Sequence, residues 1–224
     1  MKDPTSQLRT ATRRAKSDVA NKLISMFLHE LSRDVSSGLS IKVESEAYAE
    51  VVRQAFGNRC PYCKVDLLTV APVVEHLDGM NRHRVGLHIA GNVLVSCKRC
   101  NNEKRRDDSV PELVLASSGW ESFLSHIGRC GDSCNTCAYW KLVWPVESER
   151  LASLSESVHR ILAFRDQFPQ LDILRQAISL ALPGLVGKLY SDCQEFAERE
   201  IRSLLQVFTN EVANQTTRPG KQCE

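Results

Sequence analysis

The chain has 224 residues, 42% of them hydrophobic, 6% aromatic and 25% charged, with 11 Gly and 8 Pro scattered without period. This balance excludes a disordered, collagen-like or low-complexity chain and requires a mostly aliphatic core. Lysine plus arginine number 29 against 27 aspartate plus glutamate, a net charge of +2, so any nucleic-acid role must rest on a local patch rather than on bulk charge.

From about Ser6 to Val35 the chain is rich in helix formers, and Val19, Leu23, Met26, Phe27 and Leu31 recur at helical spacing, which predicts an amphipathic helix. Its front carries Arg9, Arg13, Arg14, Lys16 and Lys22, a bias suited either to a solvated face or to a phosphate backbone. Ser36-Ser37-Gly38 ends it. A second helix is expected from Ser45, placed as N-cap, to Phe56, with Gly57-Asn58 as its stop. Residues 1–56 thus form an N-terminal helical segment. Short apolar runs then replace helical periodicity, and residues 57–110 read as a small core of strands around metal. A Cys- and Trp-rich connector, 111–146, follows. Residues 147–215 predict a bundle of three helices, broken by Pro169 and by Pro183-Gly184, and 216–224 a disordered tail. Acidic side chains outnumber basic ones beyond Val146, whereas basic ones lead before it, so a nucleic-acid footprint belongs to the N-terminal two thirds.

The start MKDPTSQLRTATRRAK has no apolar signal core, so a cytoplasmic, reducing location is the default expectation. The most apolar stretch, Leu171 to Val186, contains Arg175 and Pro183 and falls short of the roughly 18–20 apolar residues of a membrane span, so no membrane role is expected.

Of nine cysteines, seven fall between positions 60 and 137. Cys60-Pro61-Tyr62-Cys63 and Cys97-Lys98-Arg99-Cys100 are two C-x-x-C knuckles, which together offer four thiolates to one tetrahedral zinc. The stretch from Cys63 to Cys97 is longer than the spacing of an ordinary zinc ribbon, so function is sought in this insert. Cys130, Cys134 and Cys137, with His126 or Cys193, offer a second, weaker zinc set. They compete with a reading in which small apolar side chains pack against Trp120, Trp140 and Trp144, a cluster read as core rather than as a base-stacking platform.

Inside the insert, Glu75-His76 ends an apolar run and Asn92 stands just before the run that leads to the second knuckle. Asn101 follows that knuckle directly, and Lys104 completes an N-x-x-K pattern with it. These residues resemble the HNH endonucleases of the ββα-metal (His-Me finger) superfamily, over about Arg59 to Arg106, a fifth of the chain. The resemblance implies a fold that is mainly α with a small α+β core: a zinc-stapled ββα-metal module flanked by the N-terminal helix and the C-terminal bundle. It implies that His76 is the general base that activates water, that Glu75 and Asn101 ligate a catalytic Mg²⁺ or Mn²⁺, and that Asn92 holds the loop and orients His76. Glu stands where Asp is commoner in the family and lengthens that arm. Asn in the last position, where others have His, favours a hard ion.

His83 and His88 fall on no pattern position and are read as substrate-facing or surface residues, and Asp78 as a turn cap, with assistance to the metal as the alternative. Arg59, Lys98, Arg99, Lys104, Arg105 and Arg106 gather around the knuckles, with Glu103 the one acidic residue between Lys98 and Arg106, a patch able to grip phosphates. The expected function is a metal-dependent endonuclease acting on DNA, with restriction or phage defence as the setting by family analogy. Its expected partners are DNA and, through the C-terminal helices, a second copy or a defence protein. The rivals are a nuclease subunit switched on by a partner ATPase or sensor, and a catalytically silent zinc-stabilised DNA-binding module.

Overall fold

The computed structural model describes residues 4–82, 84–105 and 138–216, with side-chain surroundings for 19–82, 84–102, 139–178 and 180–210. The order is α1 (Pro4–Ser36), α2 (Glu46–Phe56), β1 (Pro72–His76), β2 (Val93–Cys97), α3 (Lys98–Arg105), α4 (Ala138–Val143), α5 (Glu147–Arg165) and α6 (Pro169–Thr216). The molecule is mostly helical around a small two-stranded antiparallel sheet. Among the described residues no helix is long and apolar enough to cross a membrane.

The first helix forms as its periodicity predicts, but its buried face is one position on from the one expected. Val19, Leu23 and Met26 are exposed, and the stripe that packs is Ala20, Ile24, Leu28 and Ser32, with Phe27 and Leu31 half-buried. Two apolar stripes coexist on this helix, and tertiary packing chooses between them. Helix α2 follows the sequence closely. The Ser45 hydroxyl accepts from the Tyr48 amide at 3.2 Å, and Gly57, at φ 61°, takes the left-handed backbone that ends the helix.

Strands β1 and β2 pair in the register Pro72↔Cys97 to His76↔Val93, and β2 runs directly into α3. The second knuckle therefore straddles the strand–helix junction. The side chains of Tyr48, Phe56, Phe164 and Phe168 pack at ring distances of 5.3–6.3 Å and join α2 to α5 and the turn after it. The Tyr48 hydroxyl donates to the Val93 carbonyl and accepts from the Gly91 amide at 3.0 Å, tying α2 to the start of β2; burial pushes its pKa up to about 12. Gly91, at φ 87°, also faces Phe168 so closely that a Cβ would lie 2.9 Å from it.

The C-terminal region corrects the expected three-helix bundle. Pro183 does not break it: α6 runs unbroken from Pro169 to Thr216. Proline removes one backbone donor and crowds the preceding turn, a cost of about 3 kcal/mol. Burial of Ile178, Leu182 and Val186 on either side carries the helix across that cost. One cluster of buried residues runs from Ile24 and Leu28 through the knuckles to Phe164, Leu171 and Val186, so the 57–110 core and the C-terminal helices share a single interior. Beyond about residue 195 the same helix leaves that interior, and Phe196, Ile201, Leu204, Leu205, Val207 and Phe208 are exposed.

Candidate functional site

The two ends of the β1–β2 hairpin carry two different clusters. At the Pro72↔Cys97 end, Cys60, Cys63, Cys97 and Cys100 are all buried, with their sulfur atoms within 4.8 Å of one another. Thiolates at about 2.3 Å from a tetrahedral ion lie about 3.8 Å apart. The Cys63 and Cys97 sulfurs are 3.7 Å apart, so the donor set fits structural zinc.

The first knuckle is shaped by its own backbone: the Cys60 amide donates to Val65 at 2.8 Å and the Lys64 amide to Cys60 at 2.9 Å, with Lys64 at φ 60°. Every sulfur also receives a donor or sits against one that does. The Cys97 amide reaches Cys60 at 3.5 Å, the Cys100 amide reaches Cys97 at 3.4 Å, the Trp140 indole reaches Cys100 at 3.2 Å, and the Tyr139 hydroxyl reaches Cys63 at 3.8 Å. Such donors offset thiolate charge. The Cys63 thiol is lowered to about 7 and that of Cys97 lower still, each chiefly through a hydrogen bond from Cys100, whereas Cys100 is pushed up, chiefly by its bond with Cys60. Four crowded thiols cannot all ionise without a cation. Trp140 is fully buried here as expected, as a cap on the cysteines.

At the other end stands His76, opposite Val93. Successive side chains leave a strand on opposite faces. Glu75 points inward: it is 1% exposed, and the Tyr62 hydroxyl donates to its Oε1 at 3.2 Å. Burial, and then the charge of Glu75, hold the Tyr62 phenol well above its ordinary pKa. His76 points the other way, with its Nε2 2.9 Å from His88 Nδ1. The two residues expected to share one active centre therefore diverge.

Glu75 and Asn101, the latter half-buried in the first turn of α3, have the oxygen donors of a hard-ion site. As arranged, however, Glu75 does not fit Mg²⁺. That ion keeps several waters, and a carboxylate enclosed beneath Tyr62 leaves no room for them.

Asn92 is the pin of the β1–β2 loop. Its side chain accepts from the Asp78 amide at 2.7 Å and donates to the carbonyls of Asp78 at 3.1 Å and Leu87 at 2.7 Å. It braces the chain on both sides of the loop, and the neighbour that orients His76 is His88. Asp78 is no turn cap. It is buried and paired with Arg165 at 2.5 Å and Arg175 at 3.2 Å, and Arg165 also reaches Asn92 at 3.2 Å. Gly86 fits under the same turn because a Cβ there would lie 1.8 Å from the Asp78 carbonyl oxygen.

Two residues at this end were missed as partners of His76. The exposed His29 on α1 has its ring centre 6.3 Å from that of His76 and 5.5 Å from that of His88, and the His76 and His88 rings are 5.2 Å apart. The His88 amide donates to Ser32 at 2.8 Å, which fastens the loop to α1. Burial, with His29 second, lowers the His88 pKa below the ordinary imidazole value. No local pattern announces this trio, since His29 lies far from the other two in the chain and His76 and His88 stand at no motif spacing; only the abundance of histidine in the insert hinted at it.

Of the basic patch, Arg59, Lys98 and Arg99 are exposed beside the knuckles, with Arg99 over the Tyr139 ring at 5.8 Å. The side chains of Lys104 and Arg105, and the whole of His83, Arg106, Trp120, His126, Cys130, Cys134 and Cys137, lie outside the described residues. Compared with family models, curated proteins and solved structures, the chain matches none.

Proposed function

We propose that the chain is a metal-dependent endonuclease of the HNH type, hydrolysing phosphodiester bonds in DNA, in a restriction or phage-defence setting. The observation that carries this reading is the ββα order itself. A strand ending at His76 pairs with a strand that opens after Asn92 and runs straight into the helix bearing Asn101, and all of it is stapled by the cysteine cluster.

His76 takes the proton from the attacking water, and the contact with His88 fixes the ring that does so. Arg59, Lys98 and Arg99, exposed beside the knuckles, are the proposed contacts to the DNA backbone. Mg²⁺ or Mn²⁺ is the proposed cofactor and supplies charge neutralisation at phosphorus when bound. Asn101 is the proposed donor to it, and Glu75 serves the interior rather than the open site.

Purified protein should nick or cut supercoiled plasmid with Mg²⁺ or Mn²⁺, and His76→Ala should abolish this. Equal cutting by the variant would remove the base. Asn101→Ala should raise the Mg²⁺ concentration needed for half-maximal cutting by about tenfold or more; an unchanged requirement would remove Asn101 as a ligand.

A second reading, a nuclease subunit silent until a partner ATPase or sensor docks, is favoured by the exposed apolar stripe of Phe196, Ile201, Leu204, Leu205 and Phe208 on α6. Folded, zinc-loaded wild type that cuts no DNA alone would select it over the first.

A further inference from the structure

We propose that His29, His76 and His88 form a second metal seat, made of imidazole donors, for one borderline divalent transition ion such as Zn²⁺, Ni²⁺ or Co²⁺. The three rings come from α1, the end of β1 and the β1–β2 loop, and their centres are 5.2, 5.5 and 6.3 Å apart. A ring nitrogen about 2.0–2.1 Å from a metal places the ring centre about 3.2 Å from it, so two such rings at a tetrahedral angle have centres about 5.2 Å apart. The first two spacings are near that figure and the third exceeds it by about 1 Å; as the rings stand, their nitrogens do not all lie within 4.8 Å of one another, and a rotation of the exposed His29 side chain brings the third donor in. One pair of nitrogens already converges, His76 Nε2 and His88 Nδ1 at 2.9 Å. A bound ion takes the place of the proton between them.

The support behind the rings is built. The His88 amide is held by Ser32, one turn along α1 from His29, and the Ser32 hydroxyl in turn donates to the Leu28 carbonyl. Asn92 holds the carbonyl of Leu87, next to His88. A cavity of about 490 Å³ lined by His29, His88, Glu30, Glu44, Arg33 and Lys42 lies against two of the three rings and gives an ion a way in.

Three imidazoles select by donor type. They suit zinc, nickel or cobalt, whereas Mg²⁺ prefers oxygen and the buried cysteines at the far end of the hairpin are the softer set. The consequence for cleavage rests on the reading of His76 as base. A ring with one nitrogen on a metal and a proton on the other has no lone pair for water, so an ion here silences the nuclease.

The test is a Co²⁺ titration of the full chain whose cysteine cluster is already zinc-loaded, followed by visible absorption and calorimetry. The expected result is one added equivalent with ligand-field absorption and no thiolate charge-transfer band. In His29→Gln and in His29→Gln/His88→Gln, that equivalent should bind at least about tenfold more weakly, with melting temperature and thiolate-bound zinc unchanged. The single variant alters an exposed side chain and keeps the test alive if the double variant misfolds. Absence of the added equivalent in wild type, or equal affinity in the folded variants, would overturn the seat. Because the readout is binding, failure of the nuclease reading leaves this result standing, and an active nuclease without the second equivalent refutes the seat alone.

Discussion

The two ends of one short hairpin are built on opposite principles. At the Pro72↔Cys97 end everything is closed: four buried sulfurs, supplied with N–H and O–H donors and capped by Trp140. At the His76↔Val93 end, about 13 Å along the strand, the imidazoles are partly open and lean on one another, and those of His29 and His88 border a cavity. A zinc held by all four sulfurs would leave no open position for substrate, so the cysteine end suits a stabilising role. The chemistry proposed above would require access, which the histidine end offers. The hairpin, with Asn92 and Asp78 bracing its open end, keeps the closed cysteine cluster and the partly open histidine cluster apart on one scaffold.

Removal of the metal should break this contrast most severely. Structural zinc sites contribute apparent binding energies of about 10–16 kcal/mol at neutral pH, which are folding energy. Stripping the chain with a strong chelator should therefore abolish the cooperative melting transition, and zinc alone should restore it. A stripped protein that melts as before would reduce the cysteines to packing.

The next effect is at the open end. Asp78→Ala takes the buried carboxylate away from Arg165 and Arg175, leaving them Asn92 and Asp172 respectively, and should cost about 3–5 kcal/mol in urea unfolding, although it touches no cysteine. A loss under about 1 kcal/mol, the scale of an exposed pair, would mean that the open end does not depend on its tie to α5 and α6.

A sharper probe of the closed end is Trp140→Phe, which keeps an aromatic ring but removes the indole donor to Cys100. Zinc affinity measured by competition should fall about 10–100-fold while the fold persists. Unchanged affinity would show that the Trp140 N–H does not support the thiolate.

The smallest effect belongs to neither end. Ser45→Ala removes the α2 cap and should cost about 1 kcal/mol, with zinc content untouched. A zinc loss in that variant would blur the separation.

What could be read from the chain divides along sequence distance. The knuckles, the Ser45 cap and the Gly57 stop are local patterns, and each is where it was expected. The ββα order followed from the same short window. Three things were hidden because they depend on parts of the chain far from one another. The partners of Asp78 lie on α5 and α6, so a buried anchor was read as a turn cap. His29 approaches His76 and His88 only because α1 packs across the loop, which no spacing rule anticipates. Pro183 carries a strong local stop signal that burial of Leu182 and Val186 overrides. The resemblance put Glu75 in one centre with His76, whereas the pleat turns the two side chains apart and the Tyr62 hydroxyl shows where the carboxylate goes instead.

The most direct test of the division between the two ends is thermal melting, with thiolate-bound zinc assayed on the same preparations, for wild type, Cys97→Ser and His76→Ala. Cys97→Ser should lose both the zinc and the cooperative transition, while His76→Ala should retain the zinc and melt within a few degrees of wild type. Equal loss in both variants would contradict the account, since it would make the open end part of the staple.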